Sequence, residues 1–162
     1  MDYTIREIRE YEYALLEDFL FEAIFIPEGS TAPEKSILNN PDLQVYIEGF
    51  GTRKDDFGVI AEIDNRVIGG AWVRIMNDYG HIDNKTPSLA VSVYKQYRGL
   101  GIGTALMNNL LIKLKDKGYG RTSLSVQKNN YAVKMYQNLG YEILDENEEE
   151  YIMVNDLKNN IN

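Results

Sequence analysis

Residues 98–103, Arg98-Gly99-Leu100-Gly101-Ile102-Gly103, place glycine at every second position between an apolar strand and an amphipathic helix. The chemistry of such a corner is anion binding. The first backbone N–H groups of a helix have no intrahelical acceptor, and the helix dipole makes that end positive. Glycines leave out the Cβ atoms that would hold a ligand away from those N–H groups. A phosphate fits the resulting cradle, so a phosphorylated cofactor is expected at this turn. A P-loop is disfavoured, because Thr104 follows Gly103 without the lysine that grips phosphates. A dinucleotide fold is disfavoured too. Thr104 stands where a third glycine belongs, and the next strand ends Ser125-Val126-Gln127 without an acid.

Arg98 to Gly103 also fits the turn that holds acyl-coenzyme A (CoA), written Gln/Arg-x-x-Gly-x-Gly/Ala. A second block begins at Asn129, 26 positions after Gly103 (129 − 103). That distance leaves room for one helix and one strand. The block reads Asn-x-x-Ala-x-x-x-Tyr-x-x-x-Gly-Tyr, with Asn129, Ala132, Tyr136, Gly140 and Tyr141 at the named positions. In this order the two blocks resemble the GNAT N-acetyltransferase superfamily, over roughly residues 57–154. The resemblance implies an α/β fold with a mixed, mostly antiparallel sheet, a central parallel pair splayed at the acyl-CoA site, and helices on both faces. It implies a single N-acetyltransferase domain over residues 1–162. The amides of Arg98, Gly99, Leu100, Gly101, Ile102, Gly103 and Thr104 would then hold the CoA pyrophosphate. The backbone of Val91, Ser92 and Val93 would pair with the pantetheine amides, Asn129 would bond the pantetheine, and Tyr136 would stand near the sulfur. The implied reaction is direct attack of a primary amine on acetyl-CoA in a ternary complex, with no metal. The alternative on the same fold is a non-catalytic acyl-CoA sensor or partner-binding module.

Amine acetylation makes three demands. The amine must lose a proton, since an alkyl ammonium leaves only about one molecule in a thousand uncharged at neutral pH. The tetrahedral oxyanion needs donors already in place. The leaving thiolate benefits from a proton donor. By the resemblance, the Val93 N–H is the candidate oxyanion donor, and Tyr136 the candidate acid, as a phenol is protonated at pH 7. The base is open between Glu62, Asp83 and a water chain. His81 lies in the same loop as Asp83. Many family members carry an acid just before the strand that feeds the glycine turn; here Ser88 stands there. Asn129 is open to a second role, capping its helix, and the Arg98 side chain is open to phosphate or solvent. The acceptor is expected between the 27–41 loop, the 77–87 loop and the final hairpin. Glu22, Glu28 and Asp83 would draw a cationic amine there, with Phe25, Trp72, Tyr79 and Tyr94 as apolar walls.

The elements that must position these groups are readable from period and punctuation. Tyr3, Ile5 and Ile8 suggest a short strand. Leu15, Leu16, Phe19, Leu20, Ala23 and Ile24 form a helical stripe within 12–26. Asn40-Pro41 opens a second helix, expected to run to Gly51. Alternation at 57–64, the turn Asp64-Asn65-Arg66 and a return to Met76 make a hairpin. Strands at 88–94 and 122–126 flank the helix that ends at Gly118. A helix at 130–139 and paired strands at 141–144 and 151–154 complete the chain. The acidic run from Asp145 to Glu150 reads as a solvated loop.

The chain has 162 residues, 44% of them hydrophobic, which suits one core. The net charge of −8 argues against a nucleic-acid partner. The absence of cysteine excludes disulfides and thiolate chemistry. No apolar run spans a bilayer, and the charged N-terminus is unlike a secretory leader. A cytoplasmic enzyme acting on a small-molecule or peptide amine is therefore expected, with a homodimer through the last strands open.

Overall fold

The computed structural model describes residues 2–161. Strand β1 (Thr4–Glu7) is followed by a 3-10 turn at Glu10–Glu12 and helix α1 (Leu15–Ala23). A second 3-10 segment, Lys35–Asn39, leads to α2 (Pro41–Gln44). Strands β2 (Phe57–Ile63), β3 (Arg66–Arg74) and β4 (Ser88–Val93) precede α3 (Ile102–Asp116). Then come β5 (Arg121–Gln127), α4 (Ala132–Asn138), β6 (Tyr141–Glu146), β7 (Glu150–Asp156) and α5 (Leu157–Asn160). The sheet has seven strands in the order β1-β2-β3-β4-β5-β7-β6. Only the β4–β5 neighbours are parallel. This is the expected mixed sheet. Among the described residues no helix is long and apolar enough to cross a membrane.

Side chains alternate across each strand, and the two faces carry separate cores. On one face, α3 buries Ile102, Leu106, Met107, Leu110, Leu111 and Leu114, a stripe at helical spacing. They pack with Ala71, Val73, Leu89, Val93, Leu124, Val126 and Met153 from the strands. Truncating one such leucine to alanine costs about 2–5 kcal/mol. On the other face, Leu16, Phe19 and Leu20 of α1 cover Ile60 and Trp72. Trp72 is fully buried, and its Nε1 donates to the Tyr46 carbonyl at 3.0 Å.

The β2–β3 hairpin turns at Asp64 (φ 48°) and Asn65 (φ 66°), the two short polar types that tolerate positive φ in a two-residue turn. The second helix is far shorter than its apolar spacing suggests. Asn40 caps it as expected, accepting from the Asp42 amide at 2.9 Å. It then closes after one turn, because the buried Arg74 of β3 takes the Val45 and Glu48 carbonyls at 3.2 and 2.7 Å. A side chain from another strand replaces the helical ladder. The acidic run is also only partly a loop. Asp145 and Glu146 end β6, Glu150 begins β7, and Glu150 is half-buried.

Candidate active site

Strands β4 and β5 are held in register at one position, Ser88 with Ser123, and diverge from there. The closed end is secured by the Ser123 amide and the Thr122 Oγ1, which both donate to the Pro87 carbonyl at 3.0 and 2.8 Å. The other side of β4 is fully paired with β3 from Ser88 to Val93. The Tyr94 amide donates to Ile68 of β3 at 2.9 Å. Strand alternation then turns Ser92 toward β3 as well, and turns Val91 and Val93 toward the wedge. Two of the three backbones expected to meet a pantetheine therefore face it. Ser92 does not, and its Oγ is buried without a partner on the face opposite α3. The wedge also offers two amides to an oxyanion, Val91 as well as Val93, with Val91 nearer the apex.

At the open end of β4 the chain makes the glycine turn. Gly99 and Gly101 have φ of +78° and +80°, a left-handed conformation that favours glycine. Gly101 stands immediately before α3, and its carbonyl accepts the first helical bond from Ala105 at 3.1 Å. The amides of Ile102, Gly103 and Thr104 fall in the first turn, where no intrahelical acceptor exists. A Cβ placed on Gly99 or Gly101 would meet no heavy atom within 4 Å, so the space before these amides is open. A Cβ on Gly103 would lie 3.9 Å from Val93 Cγ2 and 4.0 Å from Met135 Sδ. The end of β4, the start of α3 and α4 thus converge on Gly103. A groove of about 600 Å³ continues between α3 and α4, lined by Thr104, Asn108, Lys134 and Asn138.

The Arg98 side chain is committed elsewhere than phosphate. Its Nε donates to the Val93 carbonyl at 3.0 Å, and its Nη2 to the Glu22 carbonyl at 2.9 Å and Glu22 Oε2 at 3.1 Å. Glu22 is consequently paired, not free to draw an amine. Tyr136 lies on α4, partly buried, with its ring edge-on to Tyr141 at 5.8 Å. Burial pushes its phenol up to about 12, so it remains a proton-bearing donor at neutral pH. Asn129 is exposed in the turn after β5. The capping role falls instead to Asn130, whose Oδ1 accepts from the Ala132 amide at 2.9 Å.

Neither carboxylate expected as a base reaches the wedge. Glu62 is on β2, two strands from β4, and is held by Arg6 Nε at 2.9 Å. Asp83 pairs with Arg121 at 2.8 Å, at the first residue of β5 and hence beyond the closed end of the wedge. Its carboxyl is held below the usual range, first by the Lys85 amide and also by Arg121. Trp72 is core and lines no opening, and His81 has a buried Nδ1 without a partner.

The carboxylate that does reach the apex is Asp78, in the β3–β4 loop. Its Oδ1 accepts from Ser88 Oγ at 2.9 Å and its Oδ2 from Tyr46 OH at 3.1 Å. Burial pushes its carboxyl up, against the pull of these two hydroxyls. The available signal was Ser88, a small hydroxyl where an acid was expected, with an aspartate in the polar loop just upstream.

The sequence profile of the acetyltransferase (GNAT) family matches residues 16–141. The acetyltransferase SG1711 of Sodalis glossinidius (strain morsitans) is 34% identical over 109 residues, covering 66% of this chain and 70% of that protein. The PaiA N-acetyltransferase of Thermoplasma acidophilum, solved in complex with coenzyme A, superposes with a TM-score of 0.71 at 18% identity, over 96% of this chain and 99% of its own. YncA of Salmonella typhimurium, solved with acetyl-CoA, superposes with a TM-score of 0.68 at 16% identity, over 97% of this chain and 95% of its own. At these identities the two solved structures speak to the fold.

Proposed function

The chain belongs to the GNAT acetyltransferase family, and on that premise we propose that it transfers acetyl from acetyl-CoA to a primary amine by direct attack within one ternary complex. The observation that carries the reading is the wedge, whose two outward amides on β4 lead to the open first turn of α3. An extended chain bearing amides can dock on Val91 and Val93 as a strand would. Its phosphates would meet the amides from Arg98 to Thr104. The chemistry this co-substrate supplies is an activated acyl group. The protein's own part is to hold the thioester, donate to the developing oxyanion from Val91 or Val93, and place the Tyr136 hydroxyl for the departing sulfur. Asn129, released from capping, is free to bond the pantetheine. The acceptor is a small molecule or a peptide end, and residues 1–162 act as a single N-acetyltransferase domain.

Gly101→Asp and Gly103→Asp test the docking. At Gly101 a side chain would be strained by the positive φ, and at either position a carboxylate would stand in the anion cradle. Calorimetry on folded variants should show CoA affinity sharply reduced. Unchanged affinity would remove the turn from the site. Thiol release from acetyl-CoA with a panel of amines tests the transfer, and binding without turnover would point to a sensor instead.

A further inference from the structure

Asp78 occupies a position no other acid among the described residues shares. It is anchored at Ser88, the residue where β4 and β5 last pair. Its loop lies across β5 just past that rung: Ser123 Oγ donates to the Gly80 carbonyl at 2.7 Å. A Cβ on Gly80 would sit 3.1 Å from the Ser125 amide nitrogen and 3.2 Å from Asp78 Oδ2. The carboxylate therefore stands at the apex, over the first residues of the opening. It is on the face opposite α3, shared by Ser88, Ala90 and Ser92 of β4 and by Ser123 and Ser125 of β5. A ligand entering from that face and a thioester lying in the wedge would meet there.

The surroundings are anionic and lack a counter-charge. Glu150 of β7 pairs with Gln127 of β5 and so shares the Ser125 face. Burial pushes its carboxyl up, and the charges of Glu149 and Asp78 add to this. The groups facing Asp78 are Tyr46 from the α2 segment, Ser88 from β4, Ser125 from β5 and Glu150 from β7. Within its own loop, the His81 amide donates to the Asp78 carbonyl at 3.1 Å. Neither Asp78 nor Glu150 has a cationic side chain as partner among the described residues. Four residues along the same face of β4, the Ser92 hydroxyl is 6% exposed and unpartnered. Buried polar groups are normally paired, and a polar ligand on this face would give that hydroxyl a partner.

We propose that Asp78, held by Ser88 and Tyr46, receives the ammonium of a cationic acceptor and takes the proton whose loss frees the attacking nitrogen, with Glu150 as the second carboxylate that draws the cation. This rests on the acetyl-transfer reading and deepens it. The ammonium N–H bond breaks and its proton passes to the Asp78 carboxylate. The nitrogen lone pair forms the bond to the thioester carbonyl carbon. When the C–S bond breaks, the sulfur leaves with a proton delivered through Tyr136 and replaced from the nitrogen. Asp78 then releases its proton to solvent. Ammonium and thioester have become amide, thiol and one proton. A carboxylate raised toward neutrality by burial is better matched to this task than a solvated one.

The test uses the full chain with acetyl-CoA and three acceptor classes: alkyl monoamines, alkyl diamines and amino-acid carboxylates. Diamines should be the best acceptors. Asp78→Asn should lower kcat/KM by about 10²-fold or more, the range for a general base, with CoA affinity unchanged. The acidic limb of the wild-type kcat/KM profile should vanish. Tyr46→Phe removes a donor to the carboxylate and should move that limb to higher pH. Glu150→Gln should raise KM for diamines more than for monoamines. Should Asp78→Asn fail to fold, Tyr46→Phe and Ser88→Ala carry the test through the limb alone. A wild-type rate in Asp78→Asn, or a limb that none of these changes moves, overturns the proposal and leaves acetyl transfer standing. A wild type that binds acetyl-CoA and acetylates no amine overturns the transfer reading, and this proposal with it.

Discussion

The carboxylates withdrawn from solvent in this molecule are of two kinds, and they are built differently. Asp56 is wholly enclosed with Arg74, whose Nε and Nη2 reach its two oxygens at 3.1 Å each. The Gly51 and Arg53 amides add donors at 2.9 and 3.2 Å. Glu12 is similar, gripped twice by Arg6 at 2.8 Å, and this grip holds its carboxyl below the usual range. Asp78 has two hydroxyls and no guanidinium. A carboxylate that already owns a cation holds the fold together and has nothing left to offer. One that is desolvated, oriented and without a cation is kept ready for a charge brought from outside. Burial alone would not have separated them.

Arg74→Ala attacks the first kind. It strands the Asp56 carboxylate in the core and frees the Val45 and Glu48 carbonyls, so it should cost about 3–5 kcal/mol in denaturant unfolding. Replacing both partners by apolar residues of similar volume should recover most of that loss. A cost near zero for Arg74→Ala would erase the contrast.

Tyr136→Phe lies between the two kinds, since this phenol is desolvated but on the other face. It should lower kcat by roughly 10²-fold or somewhat less and cost about 1 kcal/mol of stability at most. Affinity for acetyl-CoA should barely move. Full kcat would pass the proton to water and leave Asp78 to act without it.

The smallest effect is a sign. The folded Asp78 carboxyl lies above its unfolded value, so its contribution to stability is best below the ordinary carboxylate range and declines as pH rises through the folded value. Glu12 lies below its unfolded value, so its contribution is present above that value and lost as pH falls through the folded one. Asp78→Asn should therefore be best tolerated near neutrality, and Glu12→Gln best tolerated in acid. Melting curves across pH 3–8 should show the two differences sloping in opposite directions. Parallel slopes would place both residues in one class.

What the sequence tells of this molecule depends on range. The glycine turn with its flanking strand and helix is local, and Arg98 to Leu114 reads directly from spacing. So does the Asp64-Asn65 hairpin, since both turn residues and both alternations are neighbours. The truncation of the second helix is not local: Leu43, Tyr46, Ile47 and Phe50 keep a helical period, while the cause is Arg74, many residues on. The same holds at the site. Glu62 and Asp83 have the right chemistry, but only the fold reveals Arg6 and Arg121 beside them. Asp78 lies ten residues before Ser88 (88 − 78), across a loop whose path over β5 no periodicity records. Asn130 takes the role read for Asn129 one position earlier, because its Oδ1 is the one that reaches the Ala132 amide.

The single rung between Ser88 and Ser123 has a mechanical meaning. It leaves the sheet as two plates, four strands and three, joined at one corner and bridged by the α3 crossover. Between the plates the backbone ladder is interrupted, and the side chains of α3, packed on Val93 of one plate and on Leu124 and Met153 of the other, are what span the gap. An extended ligand docked on the bare edge of β4, as proposed, would stand in for the strand that is missing there. On the proposed reading, loading the molecule and completing its β-architecture would be one event.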